Sequence, residues 1–320
     1  MADWRPSAAI GLLQRRAVLL AEIREFFRQR QVLEVETPLL CATTATDPHL
    51  DSIRVTGVRY GDKGSYFLQT SPEFAMKKLL AAGSGSIFQI CKAFRRDECG
   101  RRHNPEFTML EWYRTGFDEH QLMDEVAELV GRITGRPAPE RISYRQLFQR
   151  HLMLDPLTCD TEALLAAARR HVEFDATGYG RDDLLQLLLA EVLEPALDRD
   201  CFVYDFPPSM AALARVTDDD QGTPVGRRFE LFMDGMEIAN GYWELTDASE
   251  QEQRFKTDME LRLQLQRDEL PVDQELLAAL AAGLPDCAGV ALGVDRLLMV
   301  ATGADSIDAV LSFRGVRPPD

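Results

Sequence analysis

The chain has 320 residues, 45% of them hydrophobic, and a formal net charge of −16 at pH 7. That length holds one large domain or two ordinary ones with full cores, and the negative balance argues against a broad nucleic-acid footprint or an anionic membrane surface, each of which needs a basic face. No apolar run nears the ~20 residues that span a bilayer, the first twenty residues lack a signal-peptide pattern, and six scattered cysteines without a CxxC pair read as reduced thiols of a cytoplasmic protein.

In chain order, apolar residues from Leu12 to Phe27 recur at 3–4 spacing and predict a helix over Leu12–Arg30, followed by a short strand over Val32–Val35 that Thr37-Pro38 stops. Asp47–Ser65 is turn-rich with a β stretch, and Tyr66–Gln69 is a strand. Ser71-Pro72-Glu73 then reads as a helix start, with Ser71 at the N-cap, Pro72 at N1 and a carboxylate facing the helix dipole. Ser86–Ala93 is a strand leading into FRRDECGRRHNPEFTMLEWYR, Phe94 to Arg114. There Gly100 and Asn104-Pro105 form turns between two strands, and the intervening loop carries Arg95, Arg96, Arg101, Arg102 and His103. Such a cationic loop suits a polyphosphate. A zinc site on Cys99 and His103 would lack a second ligand pair.

Phe117–Ile133 is an amphipathic helix, 135–200 a mostly helical block without evident chemistry, and Cys201–Phe206 a strand. Asp234-Gly235 between alternating residues marks a two-residue hairpin. Pairing Met233 with Met236 sets Glu230 opposite Ala239 and points Glu230 and Glu237 to one face, where Mg²⁺ would relieve their repulsion. Helices over Glu250–Gln266 and Glu275–Ala282 precede a glycine-punctuated strand, Gly289 to Gly293, that feeds a helix bearing Arg296.

Together these pieces resemble the class II aminoacyl-tRNA synthetases. Val32–Pro38 is similar to motif 1, the stretch around Arg95 to motif 2, and GVDR to motif 3. RHNPEFTMLEWY and EIANGYWELTD resemble lysyl-tRNA synthetase most closely, over essentially the whole chain. The resemblance implies an α+β fold, an antiparallel sheet flanked by helices, in a single catalytic domain over 1–320 that dimerises through motif 1. The chain begins directly at that domain, so no anticodon-binding domain is expected. It is similar in this to stand-alone paralogues that join (R)-β-lysine to a lysine of elongation factor P instead of to tRNA. A truncated enzyme charging tRNA or another amine is the alternative. A non-catalytic module is disfavoured because Arg95, Glu230, Glu237 and Arg296 are all present.

The resemblance also implies roles. Arg95 bridges the α-phosphate and the substrate carboxylate, Arg296 holds the nucleotide, and Arg101 or Arg102 takes the β- and γ-phosphates. Asp97 stands where the family reads adenine with a Glu, so Asp97 or its neighbour Glu98 does this here. Arg96, Asn104, Phe107, Ile238 and Gly293 complete the ATP site. Glu230 and Glu237 bind Mg²⁺. Glu111, Tyr113 and Glu244 form a pocket for a lysine-type ammonium, Asn240 touches the carboxylate, and Ser71, Pro72 and Glu73 lie at the substrate amino group. Where lysyl-tRNA synthetases carry a middle glycine in motif 3, this chain has Ala291, whose methyl favours an amine one carbon further along, that is (R)-β-lysine over α-lysine. Stable tRNA binding and membrane association are not expected.

Overall fold

The computed structural model describes residues 4–57 and 65–313; the part of the turn-rich Asp47–Ser65 stretch numbered 58–64 lies outside them. In order, the elements are α1 (Ile10–Gln29), β1 (Leu33–Glu34), β2 (Leu40–Cys41), β3 (Arg54–Val55), β4 (Tyr66–Leu68), α2 (Glu73–Ala81), β5 (Ile87–Phe94), β6 (Glu106–Thr115), α3 (Glu119–Thr134), β7 (Glu140–Ser143), α4 (Tyr144–Leu152), α5 (Thr161–His171), α6 (Arg181–Leu188), β8 (Cys201–Phe206), β9 (Val216–Asp218), β10 (Pro224–Met233), β11 (Met236–Trp243), α7 (Ala248–Gln264), α8 (Gln274–Gly283), β12 (Cys287–Gly293) and α9 (Val294–Thr302). The strands pair mostly antiparallel, so the α+β expectation holds. No helix among the described residues is long and apolar enough to cross a membrane.

The chain divides into two compact units, Met1–Gly116 with Arg132–Thr134 and Thr246–Asp320, and Phe117–Gly131 with Gly135–Leu245. In the first, strands run β1-β5-β6-β12. Leu19, Ile23, Phe26 and Phe27 form the buried stripe of α1, and Phe27 stacks on Phe88 of β5 at 4.5 Å and meets Trp112 of β6 edge-on at 5.3 Å. This packs one face of the sheet. On the opposite face Gln89, Glu111 and Ala291 sit side by side, since Glu111 is the register partner of both others.

The second unit orders its strands β11-β10-β8-β7, with β9 beside β10. The helical block does more than cover a side. It also supplies β7, which runs parallel to β8, and its Tyr144, Leu147, Phe148, Leu164, Leu185 and Leu188 share one core with Phe206 and Phe232. The helix expected through Leu197 widens into a π turn over Leu189–Leu193 and a 3₁₀ turn over Glu194–Ala196. Pro195 explains this, because its ring excludes the regular bond to the preceding turn.

Two other expectations change locally. Pro72, not Ser71, is the N-cap of α2, and its side chain makes no cap bond. Ser71 sits one residue earlier, its Oγ accepting from the Glu73 N–H at 3.4 Å. In the β10–β11 hairpin Met233 does pair with Met236, but Glu230 faces Asn240, because Ile238 is an extra residue in a β-bulge: Phe232 pairs with Glu237 while Leu231 pairs with Ala239.

Phe148 is fully buried and stacks on Tyr144 at 4.6 Å. Phe148→Ala should destabilise this core by about 3–5 kcal/mol, read as a lowered denaturant midpoint; an unchanged midpoint would show that the helical block does not contribute to cooperative unfolding.

Candidate active site

The hairpin β5–β6 builds the first part of the site. Its register runs from Ile87–Tyr113 to Phe94–Glu106, and the connecting loop is pinned at both ends: Arg95 N–H donates to the Pro105 carbonyl at 2.9 Å, and Gly100 pairs with His103. Arg95 stands over the Phe107 ring, 5.2 Å from its centroid, and its Nη1 lies 3.6 Å from Glu98. Its Nε is buried and meets no acceptor among the described residues. A buried guanidinium N–H without an acceptor costs free energy until an anion arrives. Asn104 is likewise buried, its Nδ2 donating to the Glu106 carbonyl at 2.6 Å and its Oδ1 left without a donor.

The rest of the loop distributes its charges. Asp97 takes a left-handed φ of +63° and accepts from Arg96 Nε at 3.1 Å on the exposed side, so Glu98 rather than Asp97 is the carboxylate beside Arg95. Arg101 donates to the Asp305 carbonyl at 2.7 Å; its ion pair with the Asp305 side chain is solvent-exposed and worth little. Arg296, in the first turn of α9, donates to the Arg102 carbonyl at 3.3 Å, and its Nη2 lies 2.7 Å from His103 Nε2. A β-carbon added at Gly293 would come within 3.8 Å of the aliphatic stem of Arg296, an ordinary contact.

Further along β6, Glu111 is only 2% exposed. The Tyr113 hydroxyl donates to its Oε1 at 2.8 Å, and Ala291 lies directly across from it on β12. Cys91 shares this face; burial first, then the Glu111 charge, pushes its thiol up to about 12. Glu73 sits at the start of α2, where Lys77 Nζ donates to its Oε1 at 2.7 Å.

The second unit holds the other carboxylates. The bulge at Ile238 resolves a parity problem: Glu237 and Asn240 differ by three positions and would point to opposite faces of a regular strand, yet their partners Phe232 and Glu230 share a face of β10. Glu230 is buried, and its carboxyl rises to about 7, chiefly through lost hydration, with the Glu237 charge adding to the rise and Arg228 opposing it. A buried carboxylate beside a second one fits Mg²⁺, which takes one or two protein carboxylates and completes its shell with phosphate and water. No cluster of three or more His, Cys, Asp or Glu suited to a metal occurs among the described residues. Glu244 is 1% exposed; its carbonyl accepts from Arg215 Nε and Nη2 at 3.2 and 3.1 Å, while the Arg215 guanidinium lies 4.0 Å over the Trp243 ring.

Two arrangements were not legible in the sequence. Arg228 donates to Glu230, to Asn240 Oδ1 at 3.2 Å and to the Met210 carbonyl at 2.9 Å, and so ties two assigned residues together; its place two residues before Glu230 was the available signal. In the first unit, Arg16 of α1 reaches Asp295, the residue before Arg296, at 2.6 Å, and Thr108 Oγ1 at 2.6 Å, while Asp295 Oδ2 accepts the Thr108 N–H at 2.7 Å. Arg16 falls on the buried stripe of α1, three residues before Leu19, and a charge in that stripe was its signal.

Residues 1–317 match the family model described as tRNA synthetases class II (D, K and N). The chain is 51% identical over 320 residues to a protein of Pseudoalteromonas translucida, covering 98% of both. It is 49% identical over 318 residues to proteins of Salmonella paratyphi B and Salmonella enteritidis PT4, covering 98% of this chain and 97% of each relative. All three are named elongation factor P–(R)-β-lysine ligase.

The raised Glu230 carboxyl has a stability signature. Between 4.5, its ordinary value, and about 7, the unfolded chain has released this proton and the folded chain still holds it. Stability is therefore expected to fall as pH rises through that window in Mg²⁺-free buffer. Glu230→Gln should remove this component of the slope in denaturant unfolding measured from pH 4.5 to 7.5; an identical slope in the variant would contradict the placement.

Proposed function

The chain belongs to the class II tRNA synthetase family of the D, K and N type, and on that footing we propose that it is an ATP-dependent ligase that activates (R)-β-lysine as an aminoacyl-adenylate and transfers it to a lysine side chain of elongation factor P. The observation that carries this reading is the buried Glu111 carboxylate, held by the Tyr113 hydroxyl and paired across the sheet with Ala291, in a chain about half identical to ligases of that name along nearly its whole length. A buried carboxylate favours a cationic side chain over a neutral one, because the cation adds a charge-assisted contact that the neutral group lacks.

In the first step an amino acid carboxylate oxygen attacks the α-phosphorus of ATP and pyrophosphate leaves. No protein nucleophile is required; the protein positions the reactants and meets the charge that develops. Arg95, whose buried Nε awaits an acceptor, bridges the α-phosphate and the attacking carboxylate. Phe107 and Gly293 flank the nucleotide with Arg96, Asn104 and Ile238, Glu98 or Asp97 reads the adenine amino group, and Arg101 or Arg102 takes the outer phosphates with Arg296. When bound by Glu230 and Glu237, Mg²⁺ supplies charge neutralisation to the phosphates. Glu111, Tyr113 and Glu244 hold the ε-ammonium, Asn240 the carboxylate, and the Ser71-Pro72-Glu73 turn the remaining amine. In the second step the neutral ε-amine of the acceptor lysine attacks the adenylate carbonyl, forming an amide and releasing AMP.

In the same reading the whole chain acts as one catalytic domain in the cytoplasm, with 135–200 as an insertion and without stable tRNA binding. It works as a homodimer through the motif 1 region; the exposed Ile10, Val18, Leu33, Leu39 and Leu40 on and after α1 support that surface.

Pyrophosphate exchange tests the reading. (R)-β-lysine should support exchange better than α-lysine, and equal efficiency would sink the substrate assignment. Ala291→Gly should improve the use of α-lysine, and an unchanged ratio would remove the Ala291 methyl from the explanation. Arg95→Ala should slow activation by ~10²–10³-fold, the scale of losing one charge-stabilising donor; wild-type rates in that variant would contradict its role.

A further inference from the structure

Arg16 stands out on α1 because it places a guanidinium in line with the apolar stripe of Leu19, Ile23, Phe26 and Phe27. Its side chain is 15% exposed and that of its partner Asp295 3%. Burying an ion pair costs more hydration than a simple packing role would justify unless its hydrogen bonds are complete. Here they converge on one point: Arg16 Nη1 on Asp295, Arg16 Nη2 on Thr108 Oγ1, and the Thr108 N–H on the second Asp295 oxygen. Three elements distant in sequence, α1, β6 and the first turn of α9, are thereby fixed to one another.

The location gives this triangle its meaning. Thr108 alternates with Phe107 and Met109 along β6 and belongs to the same face as Leu110's neighbour Trp112, the face packed on α1. Asp295 immediately precedes Arg296, whose guanidinium reaches the loop at Arg102 and His103. The clamp thus lies behind the sheet, away from Glu111 and Ala291, and holds from that side both the strand that carries Phe107 and the helix turn that carries Arg296.

We propose that Arg16 and Asp295 are positioning residues for the nucleotide subsite: through Thr108 and the start of α9 they fix Phe107 and Arg296 against the nucleotide, while the ammonium pocket is held independently. This rests on the ATP-binding reading of Arg296 and Phe107. A lysine at position 16 keeps the charge but, as a point donor, loses the rigid fork that spans Asp295 and Thr108 at once. Thr108→Val removes only the hydroxyl acceptor and keeps the side-chain shape, so it reports on the clamp with little risk to folding.

The test compares wild type, Arg16→Lys, Thr108→Val, Asp295→Asn and the Arg16→Lys/Asp295→Asn double variant. Pyrophosphate exchange gives kcat/KM for ATP and KM for β-lysine, and calorimetry gives the affinity for ATP alone. Arg16→Lys and Asp295→Asn should each lower kcat/KM for ATP by roughly 10–100-fold, the scale of a small misplacement of binding groups, with KM for β-lysine unchanged. Thr108→Val should act in the same direction less strongly, and the double variant should be no worse than the poorer single one. Equal losses for both substrates, or losses that multiply in the double variant, would reduce the triangle to a structural contact. If the wild type supported no exchange, the proposed reaction would fail, while ATP affinity across the same variants would still decide the clamp.

Discussion

The cost of keeping carboxylates out of water governs this protein. Glu111 on β6 in one unit, and Glu230 on β10 and Glu244 just past β11 in the other, are buried, where a charge is expensive and a matching cation is correspondingly welcome. Glu230 shows the pressure directly: loss of hydration drives its carboxyl up to about 7 even with Arg228 alongside. Arg95 presents the complementary case, a buried N–H awaiting an acceptor. Under the proposed reading, ligands that bring an ammonium, a divalent cation or phosphate oxygens to these positions offset that cost, and neutral ones leave it in place.

Strand geometry keeps those groups where they are needed. One hairpin, β5–β6, carries Arg95 and Phe107 near its loop and Glu111 and Tyr113 further along β6, each stretch with its own cross-strand partners. Its back is packed by Phe27, Phe88 and Trp112 and tied through Arg16 and Asp295. The loop is pinned by backbone bonds at Arg95 and between Gly100 and His103, while the side-chain ion pair of Arg101 with Asp305 lies in solvent. Fixed strands under a pinned loop suit a reaction driven by placement rather than by a protein nucleophile.

Much of this was legible in the sequence. The Asp234-Gly235 turn, the strands flanking the arginine loop and the helix bearing Arg296 follow from local turn chemistry and periodicity, and the structure has them within a few residues. What escaped is non-local or breaks a period. Strict alternation set Glu230 against Ala239, and nothing in EIANG announces that Ile238 is extra; only the finished pairing reveals it. Ser71 looked like a cap, but Pro72 is equally compatible with the position just before a helix, and it took that place. The Leu/Ala pattern over Leu184–Leu197 reads as helix straight through Pro195, and nothing local says that the chain widens into a π turn before it. Arg16 and Asp295 lie 279 positions apart, and no local pattern names a partner at that range.

No residue described above names the acceptor, so its identity is tested most directly by offering alternatives at once. The purified protein would be incubated with ATP, Mg²⁺ and labelled (R)-β-lysine, with elongation factor P and bulk tRNA both present. The label should appear on elongation factor P, in an acid-stable amide on a lysine side chain, and only when ATP is supplied. Label on tRNA, or on neither acceptor despite formation of the adenylate, would contradict it.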